Sequence, residues 1–236
     1  MHRLSKKVLK KVLKRIKRKY NSVQWYNLRS TKPISKMFGM DRGTPIDRYY
    51  IDHFLSTNQK LIKGVVCEIA EDTYTKKFGV NVTKKEVLCY TMDNSKGTII
   101  GDLTNIATLP ENVLDCFICT QTLNFIYDFE AAIAGIFHLL KPGGSALVTV
   151  AGISQISRYD MDRWGDYWRF TKLSLKKAFI NATQFDIDVK IDHYGNVLAS
   201  VAFLEGIAAE ELTHAELMAN DEDYQLLITA VVKKIK

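Results

Sequence analysis

LDCFICTQTLNFIYDFEAAIAGIFHLLKPGGSALVTV, residues 114–150, decides the fold. Residues 114–119 are an apolar run of strand length, and 129–140 form an amphipathic helix. Lys141-Pro142-Gly143-Gly144 is a helix stop, and 145–150 is a second apolar run. Two short apolar runs joined by a helix make the repeating unit of a parallel sheet. Such sheets bind ligands outside the carboxyl ends of their strands. Thr120 and Gln121, just past the first run, therefore sit where a cofactor would lie.

The same alternation extends outward. Upstream, residues 65–69, 87–90 and 98–100 read as strands; downstream, 186–192 and 225–233 do, with a helix over 197–204 between them. The expectation is an α/β fold: a single Rossmann-like, seven-stranded, mostly parallel sheet with helices on both faces. It spans 43–236, with the final strand hairpinned to the one before. The start of this domain, GTPIDRYYIDHFL at 43–55, spaces Ile46, Tyr49, Tyr50 and Phe54 as a helix across its mouth. Residues 1–42 are a basic amphipathic helix and a lead-in anchored by Trp25 and Tyr26.

The chain has 236 residues, 47% hydrophobic and 25% charged, which suits one soluble domain with an arm. No apolar run approaches the ~20 residues of a membrane span, and the N-terminus lacks a secretory apolar block. A cytoplasmic protein is expected, with peripheral attachment to the inner face of the membrane as an option. Cys67, Cys89, Cys116 and Cys119 all fall in expected strands. Residues three apart on a strand face opposite ways, so Cys116 and Cys119 read as reduced core cysteines and not as a metal or redox pair. His53, His138, His193 and His214 are scattered without metal-ligand spacing, so no metal is expected.

The net charge of +7 comes from the first twenty residues, and no acid precedes Asp41. Leu4, Val8, Leu9, Val12, Leu13, Ile16 and Tyr20 form one helical face, with Lys and Arg, from Arg3 on, on the other. Residues 1–20 fit an anionic membrane surface, at ~1 kcal/mol per cation. Packing on the domain or a second copy, or nucleic acid, are the other options; nucleic acid is the least favoured because the basicity belongs to the arm alone.

Four strand ends carry a resemblance. VVCEIAEDTYTKKFG at 65–79, Tyr90-Thr91-Met92-Asp93, Ile99-Ile100-Gly101-Asp102-Leu103 and the 114–150 unit together resemble class I S-adenosylmethionine (SAM)-dependent methyltransferases. The resemblance implies SAM as cofactor. It gives Glu68 the acidic place after the first strand, and Ala70 and Glu71 the cofactor loop. Asp93 would hold the ribose hydroxyls, Asp102 the adenine amino group, and the Leu103 N–H a ring nitrogen. Thr120 and Gln121 would face the cofactor. The loop Ala70-Glu71-Asp72-Thr73 lacks the family's G-x-G-x-G glycines, which allow positive φ and close backbone approach. SAM is then held in a shifted pose, or the cofactor has been lost.

Beyond the fifth strand, GISQISRYDMDRWGDYWRFTKLSL at 152–175 is dense in aromatic and charged residues. In-line methyl transfer to a hydroxyl needs alignment and a base. Asp160, Asp162 and Asp166 are the base candidates. Trp164 and Trp168 could stack on a sugar or close over the sulfonium; Arg163 and Arg169 could hold phosphate or carboxylate, and Asp47 and Arg48 could close the same pocket. The alternative is an internal salt-bridge network with the tryptophans in the core. GTPIDRYYI, EDTYTKKFG and YDMDRWGDYWRFT together resemble a methyltransferase-like group associated with bacterial surface-polysaccharide glycosyltransferases. That implies O-methylation of a glycan or lipid-linked saccharide, with a glycosyltransferase as a possible partner. A catalytically degenerate scaffold and an RNA methyltransferase are the alternatives.

Overall fold

The computed structural model describes residues 6–20, 23–24, 26–93 and 95–235. Arg3, Leu4 and Trp25, which carry expectations above, lie outside the described residues. The chain divides into two units, Met1–Pro33 and Ile34–Lys236. The first holds helix α1 (Lys6–Tyr20) and a 3-10 turn, Tyr26–Arg29.

The second unit is built on seven strands: β1 (Gly64–Ile69), β2 (Val82–Cys89), β3 (Ile99–Ile100), β4 (Leu114–Thr120), β5 (Leu140–Ala151), β6 (Ile187–Tyr194) and β7 (Leu227–Lys234). Their order is β3-β2-β1-β4-β5-β7-β6. The first five are parallel, and β7 is antiparallel to both β5 and β6. The chain runs outward from β1 to β3 and then returns to β4 on the other side of β1. The crevice between β1 and β4 is thus the topological switch point, where open α/β sheets bind ligands.

Side chains alternate between two cores, one on each face. Ala146, Val148 and Val150 of β5 enter one core, and Leu147 enters the other. Against the first lie Ile133, Ile136 and Phe137 of α4 (Phe129–Leu139), with Leu175, Ala178 and Phe179 of α6 (Lys172–Asn181). Against the second lie Ile46, Tyr50, Ile51 and Phe54 of α2 (Ile46–Thr57), with Ala199, Ala202 and Phe203 of α7 (Val197–Glu205). Each fully buried Leu, Ile or Phe side chain contributes roughly 1.5–3 kcal/mol. The four cysteines are free and buried; Cys116 lies in one core and Cys119 in the other.

Four features differ from the sequence expectation. First, β2 starts at Val82, because Val82, Lys84 and Lys85 pair with β1 while 83–85 stay exposed and carry no apolar signal. Second, the Lys141–Gly144 stop is a bulge inside β5. Leu114 pairs with Leu140 and Cys116 with Ser145, so the residues between are looped out. The Asp115 carboxylate steadies the bulge, accepting from Lys141 Nζ at 2.9 Å and from the Val65 N–H at 2.8 Å. Asp115 lies at the amino end of β4, far from the ligand edge. Third, β7 pairs antiparallel with β6 as expected, but it inserts between β5 and β6, and α8 (His214–Met218) precedes it in addition to α7. Fourth, α6 escapes the periodicity reading because only a short stripe at 175, 178 and 179 is buried; a Thr171–Ser174 capping box starts it.

Two attachments bring the chain over the ligand edge. The Glu210 carboxylate accepts from the Thr44 N–H at 2.9 Å and Thr44 Oγ1 at 2.6 Å. Tyr50 donates its hydroxyl to the Leu217 carbonyl at 2.7 Å. Together they fix the N-terminal turn of α2, which carries Asp47 and Arg48, beside the end of β4.

Candidate functional site

A cavity of about 1740 Å³ opens at the carboxyl ends of β1, β2 and β4, within the second unit. Its floor is the switch point. Ala70 follows β1, Gln121 follows β4, and both line the cavity with left-handed backbone, at φ +67° and φ +49°. Phe38, at φ +57°, lines another wall. Each such non-glycine residue costs about 1–2 kcal/mol, and such strain gathers at functional sites. Ala70 thus takes the backbone conformation for which the missing glycines would be expected.

Polar groups on the floor are incompletely satisfied. Gln121 Oε1 and Asn124 Oδ1 are buried, yet accept no hydrogen bond within the protein. A buried acceptor left so costs about 1–3 kcal/mol. Asp47 faces them from α2. Its Oδ1 accepts from the Arg48 N–H at 2.8 Å, and its Oδ2 lies 3.5 Å from Gln121 Nε2, the outer limit of a hydrogen bond. Partial burial raises the Asp47 pKa; the Arg48 charge opposes this less strongly.

The expected cofactor residues divide. Glu68 is buried, and both carboxylate oxygens accept backbone N–H groups, from Tyr74 at 3.1 Å and from Thr75. Burial raises its pKa. It therefore shapes the turn between β1 and α3 (Thr73–Phe78) while also lining the cavity. Glu71, Leu103 and Thr120 line the cavity. Asp102 lines it too, while its Oδ1 accepts from the Thr104 N–H and Oγ1, both at 2.8 Å. Leu103 is held against α4, where a Cβ on Gly135 would lie 2.1 Å from the Leu103 carbonyl oxygen. Asp93 is exposed and outside the wall; β2 ends at Cys89, so Tyr90 and Thr91 take the place expected of it.

The loop after β5 is largely occupied with itself. Asp166 has a side chain 1% exposed and accepts from Arg169 Nη1 at 2.6 Å, Arg169 Nη2 at 2.9 Å and the Ser157 N–H at 3.0 Å. Arg169 also donates to the Gln155 carbonyl at 2.7 Å and the Trp168 carbonyl at 2.8 Å. Both touch the wall, but as an internal ion pair and not as free base and anion clamp. Asp162 pairs with Arg158 at 3.0 Å at the surface, outside the wall. Trp168 also stays out of the wall, donating Nε1–H to the Tyr127 carbonyl at 3.1 Å and packing on the Tyr127 and Phe129 rings. Asp160 lines the cavity and accepts from Ser157 Oγ at 2.6 Å. In this loop α5 (Arg158–Met161) leads to Arg163, which stacks 3.5 Å from the Tyr159 ring centre. Arg163 and the half-exposed Trp164 both line the cavity, as do Asp47 and Arg48.

One wall escaped the sequence. Lys36, Met37, Phe38 and Met40, read as lead-in, line the cavity. They are held by the Ser35 N–H on the Glu205 carbonyl at 2.9 Å and by Phe38 against Phe203 at 5.8 Å. Gly206 ends α7 at φ +70°, and a Cβ there would lie 2.4 Å from the Ser35 carbonyl oxygen. The segment has no periodicity; its Phe38-Gly39-Met40 run was the one available signal. His193, by contrast, is buried away from the cavity, with Nε2 3.1 Å from the Asp221 carbonyl.

No curated protein sequence matches the chain significantly. Solved structures do match in shape. The plantazolicin methyltransferase BamL, solved with a desmethyl analogue and SAH, is 12% identical with a TM-score of 0.53, covering 94% of this chain and 95% of its own. A SAM-dependent methyltransferase from Thermotoga maritima, described as a possible histamine N-methyltransferase, is 16% identical with a TM-score of 0.52, covering 80% and 91%. The (4+2)-cyclase SpnF is 14% identical with a TM-score of 0.52, covering 82% and 83%. At these identities the likeness is one of fold. Residues 62–148 match the family model of a methyltransferase domain, and the fold around them is the Rossmann-like fold of SAM-dependent methyltransferases.

Proposed function

We propose that the protein transfers a methyl group from SAM to a hydroxyl of a glycan or lipid-linked saccharide. The cavity carries this reading. At about 1740 Å³ it exceeds the roughly 300–1,000 Å³ of a single-ligand pocket, and its two sides differ in chemistry. The β1–β4 side suits a cationic cofactor: Glu71 and Asp102 bring negative charge, and Gln121 Oε1 and Asn124 Oδ1 await N–H donors. Arg163, Trp164 and Tyr159 on the other side suit a polar ring-shaped acceptor, by stacking and by donating to its oxygens.

SAM, when bound, supplies an electrophilic methyl group. The protein supplies alignment and a base. Of the acids facing the acceptor side, Asp166 is engaged by Arg169 and Asp160 by Ser157 Oγ. Burial has raised the pKa of Asp47, which sits beside Gln121 at the junction of the two sides. We assign Asp47 as the group that takes the acceptor proton, with Gln121 orienting it.

Calorimetric titration with SAM and SAH tests the reading. Micromolar binding of both, followed by methyl incorporation into a saccharide acceptor, is expected. No heat at millimolar ligand would overturn it. That result would favour a non-catalytic binding module working with a glycosyltransferase, the reading supported by the missing glycines of the 70–73 loop.

A further inference from the structure

We propose that α1 docks the protein on an anionic lipid surface. The helix alone would carry this docking, independently of the activity proposed above. Nine of its fifteen residues are Lys or Arg, and none is acidic. At about 100° per residue, Val8, Leu9, Val12, Leu13, Ile16 and Tyr20 fall within an arc of about 140°. Every cation but Lys19 falls outside that arc. The stripe is open to solvent: its aliphatic residues are 43–56% exposed. Among the described residues, no helix is long and apolar enough to cross a membrane.

Three kinds of surface could cover such a stripe, and the charges choose between them. A second copy of the helix would lay stripe on stripe and set Lys and Arg against Lys and Arg at both seams, with no acid in the helix to pair them. Nucleic acid would take the cations but leave five aliphatic side chains in water. The interface of an anionic bilayer satisfies both faces at once: the stripe enters the acyl boundary, and the flanking cations meet the headgroups. The apolar part is small, so attachment is reversible and depends on anionic lipid.

Sedimentation of the full chain with vesicles tests this. Phosphatidylcholine vesicles are compared with vesicles in which a third of the lipid is phosphatidylglycerol. Binding to the anionic vesicles alone is expected. It should weaken at least tenfold when salt rises from about 0.1 M to about 1 M, which shortens the screening length from about 10 Å to about 3 Å. Leu13→Asp should weaken it roughly tenfold, and so should the Lys10→Gln, Lys14→Gln double variant, with the unfolding midpoint unchanged. The proposal is overturned by no binding to anionic vesicles, or by equal binding to both compositions. RNA capture without vesicle binding, or a dimer abolished by Leu13→Asp without vesicle binding, also overturns it. So does a lowered unfolding midpoint in Leu13→Asp, which would mean that the stripe packs on the rest of the chain.

Discussion

At the ends of β1 and β4 the cavity wall holds Ala70 and Gln121 in left-handed backbone and leaves two amide oxygens without protein donors. Across the cavity, the loop after β5 pairs Asp166 with Arg169, Asp160 with Ser157 and Trp168 with the Tyr127 carbonyl. One side stores strain and unmet hydrogen-bonding capacity; the other satisfies itself. Strained backbone and orphaned polar atoms persist only where the surroundings over-determine them, and they mark places where a ligand can complete the structure. A high density of charge marks no such place when the charges already have one another. The β1–β4 side is thus the better candidate for chemistry, and much of the charged loop is its scaffold.

The largest expected effect breaks the chemical side. Asp47→Asn should lower methyl transfer by about 10²–10⁴-fold and leave SAM binding intact. The sign of its pH dependence follows from burial. The folded-state pKa of Asp47 is raised, so the fold favours the protonated form. Stability is therefore lost as pH climbs from the ordinary carboxylate range through the raised value. Asp47→Asn should unfold at a higher temperature than wild type above that window and at the same temperature below it. The wild-type kcat/KM should rise with pH along the same window, because a base must be ionised. Full activity of Asp47→Asn would remove it as the base.

Next comes the scaffold side. Arg169→Ala leaves the buried Asp166 carboxylate without its cation, which should cost about 3 kcal/mol in denaturant unfolding. A loss below about 1 kcal/mol would show that the loop is held by something else. The smallest effect sharpens the strain argument. Ala70→Gly relieves about 1–2 kcal/mol of left-handed strain and gives back about 0.5–1 kcal/mol through the freer unfolded chain. A net gain of roughly 0.5 kcal/mol is expected; a loss would mean that Ala70 makes a contact worth more than its strain.

Much of the fold was legible. Apolar runs at strand spacing, the 129–139 helix and the face-splitting of Cys116 and Cys119 are periodicities, and periodicity is local. Strand polarity then placed Asp102, Thr120 and Gln121 at the ligand edge. Where an element lacked a clear pattern, its start or its partner was not legible: 83–85 stay exposed, the Lys141–Gly144 bulge imitates a turn, and β7 joins two strands that are distant in sequence.

The amino-acid order by itself determined the sheet, its two cores, the ligand edge and the amphipathic basic arm, since each follows from spacing along a strand or helix. Tertiary structure alone decided which acids are engaged and which remain for a ligand. Asp47 meets Gln121 across 74 positions, Ser35 holds Glu205 from the far end of the chain, and Gln155 donates to the Lys36 carbonyl at 3.2 Å across 119. These pairings bring the 36–40 segment and Asp47 to the cavity. They depend on three-dimensional closure, and no local spacing encodes them.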